Sequence, residues 1–544
     1  MDKRFWLTIS LSIATVWGIQ WYFGKNIPQG DGSSAGPIQV GGALSMPQKP
    51  SKVMNAQDFY RPLNTTVVFD QEQQAVDVHQ VETPLAQIVF TNQGGAIARF
   101  AFKKHKGKNG EFLSSVNDYG FLSQEAKMKT CFLLALDEAT PFVYTFEQEV
   151  RDANKGTVAV VYKAETSDWI LKKTYTLYDA SYQVDLGIAL EPKKDDAKPV
   201  RVRLFVQSPW IQEVTENVHG LFALDAAKNK LEKTDLDKAA GIAWPWNVER
   251  PLFGLEDKYF AHALVGDKDL FVQRSFIRDL KVVPQKVGDV GSREVFSIFE
   301  SGLHDAAGAW TLSFYMGPKT VQDLVAVDDR LDDLMSFGWL SWLCKLLLTL
   351  LEWLYAYFGN YGLAIVVLAL ALRLPLSPLS IQSRRKMELY QKFSPTIQKI
   401  RNKYKHDLKQ QQEELMRFHR DHNLSPSTPI FGCLPMLIQL PILFALFRVL
   451  GNHVNLYNAP FYGWVIDLSS KDPYYILPVL MGGSMIWQQL MTPSTDDKQR
   501  VLMVFMSVVF MVFFAKAAAG LVIYWLINNV VTLGEDYLRR ALYR

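Results

Sequence analysis

The chain has 544 residues, 49% of them hydrophobic, with 58 Lys and Arg against 55 Asp and Glu. A net charge of only +3 excludes nucleic-acid binding driven by bulk charge, and the three widely spaced cysteines, Cys131, Cys344 and Cys433, exclude a disulfide framework or a CxxC metal site. A mean hydropathy of −0.01 averages over a sharp split: residues 25–335 read as soluble protein, and most of 337–535 is apolar.

Residues 1–24 place Lys3 and Arg4 before an apolar run from Phe5 to Phe23. A cleaved signal peptide and an uncleaved anchor both begin this way. The closing Trp21, Tyr22 and Phe23 resemble an interfacial aromatic belt, and no small-residue cleavage site follows closely, so the anchor is favoured, with its N-terminus in the cytoplasm. Residues 25–59, rich in Gly, Ser, Pro and Gln, read as a flexible linker.

Residues 60–325 carry strand signals. TTVVF (65–69), QIVFT (87–91) and TVAVVYK (157–163) are short β-branched runs, and KTYTLYDASYQVDLGIAL (173–190) alternates about a turn at Asp179, Ala180 and Ser181. From Arg201 to Val206 the alternation is strict, with Val202, Leu204 and Val206 on one face and Arg201, Arg203 and Phe205 on the other. Closely spaced strands of this kind predict an all-β sandwich. Lying after the first span, it would be extracytoplasmic, and with no catalytic constellation in it, it reads as a scaffold or docking surface.

Residues 334–360 are apolar and aromatic but interrupted by Lys345 and Glu352. That pattern fits an amphipathic helix lying in the membrane interface, with a span as the rival reading. Residues 361–381 form the first clear span of the C-terminal half, and Arg373 sits inside it, twelve residues after Tyr361. At a rise of ~1.5 Å per residue the arginine is about 18 Å into a hydrocarbon core of about 30 Å. A charge at that depth either snorkels to the surface or faces a wetted groove, and by default marks a functional site.

Between Gln382 and Thr428 eleven Lys and Arg face five Asp and Glu, so this segment is cytoplasmic by the positive-inside rule. Ile397, Ile400, Tyr404 and Leu408, then Leu415, Phe418 and His422, repeat at helical spacing. They predict a helical hairpin over 383–428 with its turn near His406 and Asp407. Its positive charge is either a lipid-attracted solvated face or a docking site for a ribosome or targeting factor. Further spans are expected over 430–450, 474–491, 500–516 and 518–537, the last two short and separated by Lys516, three alanines and Gly520. The predicted fold is thus multi-domain: six spans, five of them a core at 361–544, an outer all-β domain and a cytoplasmic hairpin. Amides and other polar residues in the spans, among them Gln439, Gln488, Asn528, Asn529 and Thr532, either bond helix to helix or line a polar cavity.

Several long motifs then carry a resemblance. FGCLPMLIQLPILFALF (431–447), APFYGWVIDLSSKDPYYILPVLMG (459–482) and GLVIYWLINNVVT (520–532) are joined by TNQGGAIARF (91–100), GLEDKYFAHAL (254–264) and FYMGPK (314–319). Together they resemble the YidC family of membrane-protein insertases, in the Gram-negative form with a large periplasmic domain, over essentially the whole chain. The resemblance implies a protein of the bacterial inner membrane with both termini cytoplasmic, acting alone or beside the Sec translocon. It implies no enzymatic activity, no cofactor, no metal and no specific nucleic acid. It places Arg373 in a hydrophilic groove open to cytoplasm and lipid, where it transiently attracts the polar tail of a nascent membrane protein. Tyr524 and Trp525 fall at the family's aromatic pair beside the substrate path, and Gln439, Gln488 and Asn529 join the candidate groove. The residues by themselves also admit a solute transporter or channel, or an anchored outer-face binding protein. Against the family pattern, the hairpin ends without a double glycine before Cys433, and the turn at 516–519 lacks a Phe-Pro pair.

Overall fold

The computed structural model of the chain describes residues 60–69, 76–107, 109–116, 131–137, 140–209, 220–225, 230–239, 242–245, 251–282, 292–335, 340–422, 434–491 and 497–542. The expected anchor at 1–24 and linker at 25–59 lie outside these residues, as does the stretch 423–433 that opens the expected span at 430–450. The chain divides into two compact units, one ending at Ser336 and the other beginning at Phe337.

The first unit is all-β. Its nine-stranded antiparallel sheet runs from Lys230–Asp235 at one edge to Thr145–Asp152 at the other. The hairpin expected at 173–190 lies inside it, next to the central strand Gly308–Pro318: Trp169–Tyr178 pairs with Gln183–Pro192, and both strands alternate buried and partly exposed residues along their length. That alternation is what one covered and one open face requires. Two smaller sheets cover the same face. A four-stranded one (Val78–Glu82, Ala86–Thr91, Ala96–Lys106, Phe112–Val116) stacks Phe102 on Phe260 of the large sheet at 4.5 Å. A five-stranded one sets Phe299 edge-on to Phe253 and Phe314. The sandwich therefore has one long sheet facing two short ones.

Two expectations change here. Val200–Gln207 is buried on both faces from Val202 onward, because it is an inner strand of the five-stranded sheet with the large sheet on one side and residues 61–69 on the other. TTVVF (65–69) is not a strand: it forms one isolated bridge, Phe69 to Thr140. Thr140 N takes the Val68 carbonyl at 2.7 Å, and arginine side chains take carbonyls of Thr65, Thr66 and the residues just before them. Arg203 donates to the oxygens of Asn64 and Thr66 at 2.9 and 2.8 Å, Arg274 to that of Arg61 at 2.7 Å, and Arg278 to that of Thr65 at 2.9 Å. Leu63, Val67 and Phe69 then pack on a core of Leu133, Phe205, Phe276, Phe296 and Ile298.

The first unit also holds a buried cation. Lys173, at the inward phase of its strand, is 0% exposed. It donates to the carbonyls of Gly94 (2.7 Å), Gly95 (3.2 Å) and Phe132 (2.7 Å). Burial pushes its ammonium well below the ordinary lysine range. TNQGG supplies two of the three carbonyls because Gly94 and Gly95 have φ of 74° and 50°, a left-handed turn that suits glycine. At Gly95 an added Cβ would also meet the Tyr144 ring at 2.8 Å.

The second unit is helical: α1 Ser341–Phe358, α2 Tyr361–Lys403, α3 Leu408–Asp421, α4 Leu434–Asn452, α5 Ile476–Met491, α6 Asp497–Phe514 and α7 Ala519–Leu542. α1 buries Cys344, Leu347, Leu348, Leu351 and Leu354 while exposing Trp342, Trp353 and Tyr357. This is the amphipathic helix expected at 334–360, but it starts at Ser341, since Leu334 and Met335 close a 3-10 helix of the first unit. Gly359 caps α1 at φ 66°, and the Asn360 side chain accepts from Leu363 N at 3.0 Å to start α2.

α2 corrects a second boundary. It does not end at 381 but continues unbroken for 43 residues, about 64 Å, so the span and the first arm of the hairpin are one helix. α3 folds back after Asp407, whose carboxylate accepts from Lys409 N and Gln410 N, and Phe393 meets Phe418 at 5.8 Å. Ile397 is in this seam, but Leu408 is 75% exposed, because it opens α3 beyond the turn. The Tyr361–Pro378 part of α2 is long and apolar enough to cross a membrane; Gln439–Asn452, Ile476–Met491 and Arg500–Phe514 are shorter apolar stretches.

Candidate functional site: a polar seam along α7

One end of the helical unit is closed by the loop 453–475. Ala519 N and Gly520 N, at the start of α7, donate to the carbonyls of Ser470 (2.7 Å) and Leu468 (3.0 Å), which satisfies donors that a helix N-terminus leaves free. Asn360, at the start of α2, donates to Pro460 O at 3.3 Å, and the Phe461 ring sits on Gly362 so closely that an added Cβ would lie 1.9 Å from it. Asp467 and Asp472 hold the loop's shape: Asp467 accepts from Asn458 N and Ser469 N, and Asp472 from Trp464 Nε1, Tyr474 N and Leu477 N. The acidic APFYGWVIDLSSKDP stretch is thus a rigid lid over the starts of α2 and α7.

Arg373 lies three turns along α2 from that lid. It is 9% exposed, its side chain packed inside the helical unit. Its Nη2 donates to Thr532 Oγ1 at 3.0 Å and to Glu535 Oε2 at 2.9 Å, both on α7, and Ser377 donates to Glu535 Oε1 at 2.6 Å. Thr532 in turn donates to the Asn528 carbonyl at 2.8 Å. Arg373 Nε is buried and has no acceptor among the described residues. Pro375 lies two residues further along α2 and lacks an N–H, so the carbonyl of Ala371 loses its helical donor and adds to the polarity there.

The remaining candidates sit on the same helix or face it. Gln439 of α4 donates to Tyr524 OH at 2.6 Å, and Asn528 donates to Tyr524 O at 2.9 Å. Tyr524, Asn528, Thr532 and Glu535 repeat at four, four and three residues, one face of a helix. Asn529 and Trp525 lie on the adjacent face. Asn529 donates to Ser484 Oγ of α5 at 2.9 Å; Trp525 packs on Phe510 and Phe514 of α6, ring centres 6.3 and 5.4 Å away, with its indole Nε1 buried and unpartnered among the described residues. Gln488 is half-buried one turn beyond Ser484. The six predicted residues are therefore not one cluster. α7 is a spine with Arg373, Gln439 and Tyr524 on one flank and Gln488, Asn529 and Trp525 on the other.

Sequence reading missed Glu535 and Ser377. Ser377 lies four residues after Arg373, on its face of α2. Glu535 continues the Tyr524, Asn528, Thr532 stripe by three residues, which is the signal that was there to be read. Such a seam can hold a charged or hydrogen-bonding chain segment, while the outward residues Leu374, Val508, Val512 and Val530 are exposed and apolar.

Comparison with known proteins now bears on this geometry. Residues 79–350 match the family model described as the YidC periplasmic domain, and 353–543 match the one described as the 60Kd inner membrane protein. The chain is 32% identical over 482 residues to a membrane protein insertase YidC of Citrifermentans bemidjiense, covering 85% of each chain. With the protein of the same name from Syntrophus aciditrophicus it shares 30% identity over 569 residues and 99% of each chain. A solved structure titled as an active YidC insertase with its first transmembrane domain resolved is 20% identical, with a TM-score of 0.38, covering 86% of this chain and 93% of that one. A transporter or channel finds no support in these matches.

Proposed function

We propose that this chain, which belongs to the YidC family of membrane protein insertases, carries the polar tail of an incoming membrane protein along the α7 seam while the tail's apolar segment leaves into lipid. The observation that carries this reading is Arg373: a cation buried at membrane depth, under a closed lid, with a donor still open. A buried charge left incompletely bonded is costly unless its site has a use for it. Hydrophobic partitioning of the substrate segment, helped by the membrane potential on an acidic tail, supplies the driving force.

The chain is a protein of the inner membrane with its β unit in the periplasm. In the fuller reading it has six spans and both termini in the cytoplasm, and the basic α2–α3 hairpin meets the ribosome or a targeting factor. It works alone or beside the Sec translocon, and substrates slide past α4 and α6. The short apolar stretches of α5 and α6 favour a locally thinned bilayer, which lowers the cost of moving polar groups.

The test is photo-crosslinking from probes at Gln439 and Trp525 to a stalled ribosome-bound nascent chain of a small single-span protein, in inner-membrane vesicles. Crosslinks that appear as the span emerges and fade on release place the seam on the insertion path. Probes that label only lipid and neighbouring helices throughout would make the seam structural.

A further inference from the structure

Glu535 occupies the position on Arg373 that an incoming carboxylate would take. Its two oxygens are divided: Oε2 accepts from Arg373 at 2.9 Å and Oε1 accepts from Ser377 at 2.6 Å. The guanidinium meanwhile keeps Nε buried and open. A planar guanidinium presents five donors and readily holds carboxylates in pairs of parallel bonds, so Arg373 can accept a second carboxylate before it releases the first. Ser377, bonded to Oε1 while Oε2 is on the guanidinium, holds Glu535 in place beside Arg373. Asp536, also buried, points about 100° further round α7, so Glu535 is the carboxylate set against Arg373.

We propose that Glu535 is a resident counter-ion that competes with the substrate for Arg373 and so determines both which tails enter and how long they stay. The inference rests on the reading of Arg373 as a tail-binding group. An acidic tail replaces one carboxylate by another, so the guanidinium is never left bare and the exchange is nearly balanced. A neutral tail must displace Glu535 with nothing to give in return. The near balance keeps capture of acidic tails brief, which an insertase requires, since a tail held tightly at Arg373 would not be passed on. Glu535 is thereby a specificity-determining residue that acts through Arg373.

The experiment compares two single-span nascent chains, one with two Asp in its tail and one with two Asn in their place, crosslinked from a probe at Trp525 of the full chain in inner-membrane vesicles. In the native chain the Asp tail should crosslink and fade as the chain is released. In Glu535→Gln the Asp-tail crosslink should persist several-fold longer, with the Asn tail changed far less, and Glu535→Asp should restore the native lifetime. Ser377→Ala keeps both charges and loosens Glu535; it should lengthen the Asp-tail lifetime in the same direction by a smaller factor, and it decides the matter if Glu535→Gln fails to accumulate. Lifetimes that ignore Glu535 and Ser377, or that change equally for both tails, overturn the proposal. A native chain that crosslinks neither tail would instead remove the tail-binding reading of Arg373 on which it stands.

Discussion

Lys173 in the β unit and Arg373 in the helical unit are both cations with almost no exposed surface, 0% and 9%, and they are bonded in opposite ways. Lys173 is held by three backbone carbonyls, so its partners are part of the chain's own framework and no ligand can exchange with them. Arg373 has one hydroxyl, one carboxylate and a donor left over. Its partners are side chains, which can move, and one of them is of the type a substrate tail carries. A cation bonded by backbone and a cation bonded by side chains differ in whether their partners can be exchanged, which burial alone does not reveal.

The comparison is broken most severely at Lys173. Lys173→Met leaves the buried carbonyls of Gly94 and Phe132 without a donor, while Gly95 O keeps the Tyr175 hydroxyl at 2.7 Å, and should cost the β unit about 4 kcal/mol at 1–3 kcal/mol per unsatisfied group. Protease resistance of the β unit in the intact chain reads this, and insertion per folded molecule should be unchanged. An insertion defect beyond the loss of folded protein would mean that Lys173 is functional after all.

The next effect depends on pH and also belongs to the β unit. His262 is buried, its Nδ1 donating to Gln207 O at 2.7 Å and its Nε2 2.9 Å from Ser115 Oγ. Burial pushes it down to about 4. As pH falls, the unfolded chain takes up the proton first, near 6.5, so the stability that neutral His262 contributes is complete above pH 6.5 and is lost between there and about pH 4. The loss is roughly 3 kcal/mol at 1.36 kcal/mol per unit. Asp257, raised by burial to about 6, works in the opposite sense over the same range, so the measurement is the difference between the native chain and His262→Gln across pH 7 to 4. A difference that does not vary with pH would exclude the His262 contribution.

Arg373→Lys keeps the charge but cannot reach Thr532 and Glu535 together. It should cost about 2 kcal/mol, the loss of one charged hydrogen bond, and reduce insertion of acidic-tailed substrates several-fold, as followed by protease protection of the inserted tail. If insertion survives intact, charge alone suffices and the bonding geometry is incidental. The smallest effect is expected at Tyr524→Phe, which removes the hydroxyl that Gln439 donates to and should cost about 1 kcal/mol, with insertion lowered only slightly. A loss as large as that at Arg373 would move the centre of the site toward α4.

The sequence was a good guide wherever burial follows periodicity. The hairpin at 169–192 alternates as read, α1 buries one stripe and exposes its aromatics, and the turn at 404–407 divides α2 from α3. It was a poor guide where a segment's backbone is bonded by distant side chains. TTVVF has the composition of a strand, yet three arginines from strands more than 130 residues away take the carbonyls of residues 61–66. The end of α2 was misplaced because apolar and charged stretches look like separate helices, although a helical backbone continues through a change of solvent.

The sequence alone determined that an arginine would lie twelve residues into an apolar helix, that a basic segment would follow it, and that the domain before it would be β. These properties depend on residue type and spacing within a few turns. The tertiary structure decided what each buried cation meets. Every residue has a carbonyl, so composition cannot reveal that Gly94, Gly95 and Phe132 turn theirs toward Lys173. Glu535 reads as an ordinary charge near the end of a span until α2 and α7 are brought together. It then stands 2.9 Å from a guanidinium 162 residues earlier in the chain, a pairing set by how two helices pack and by nothing local to either.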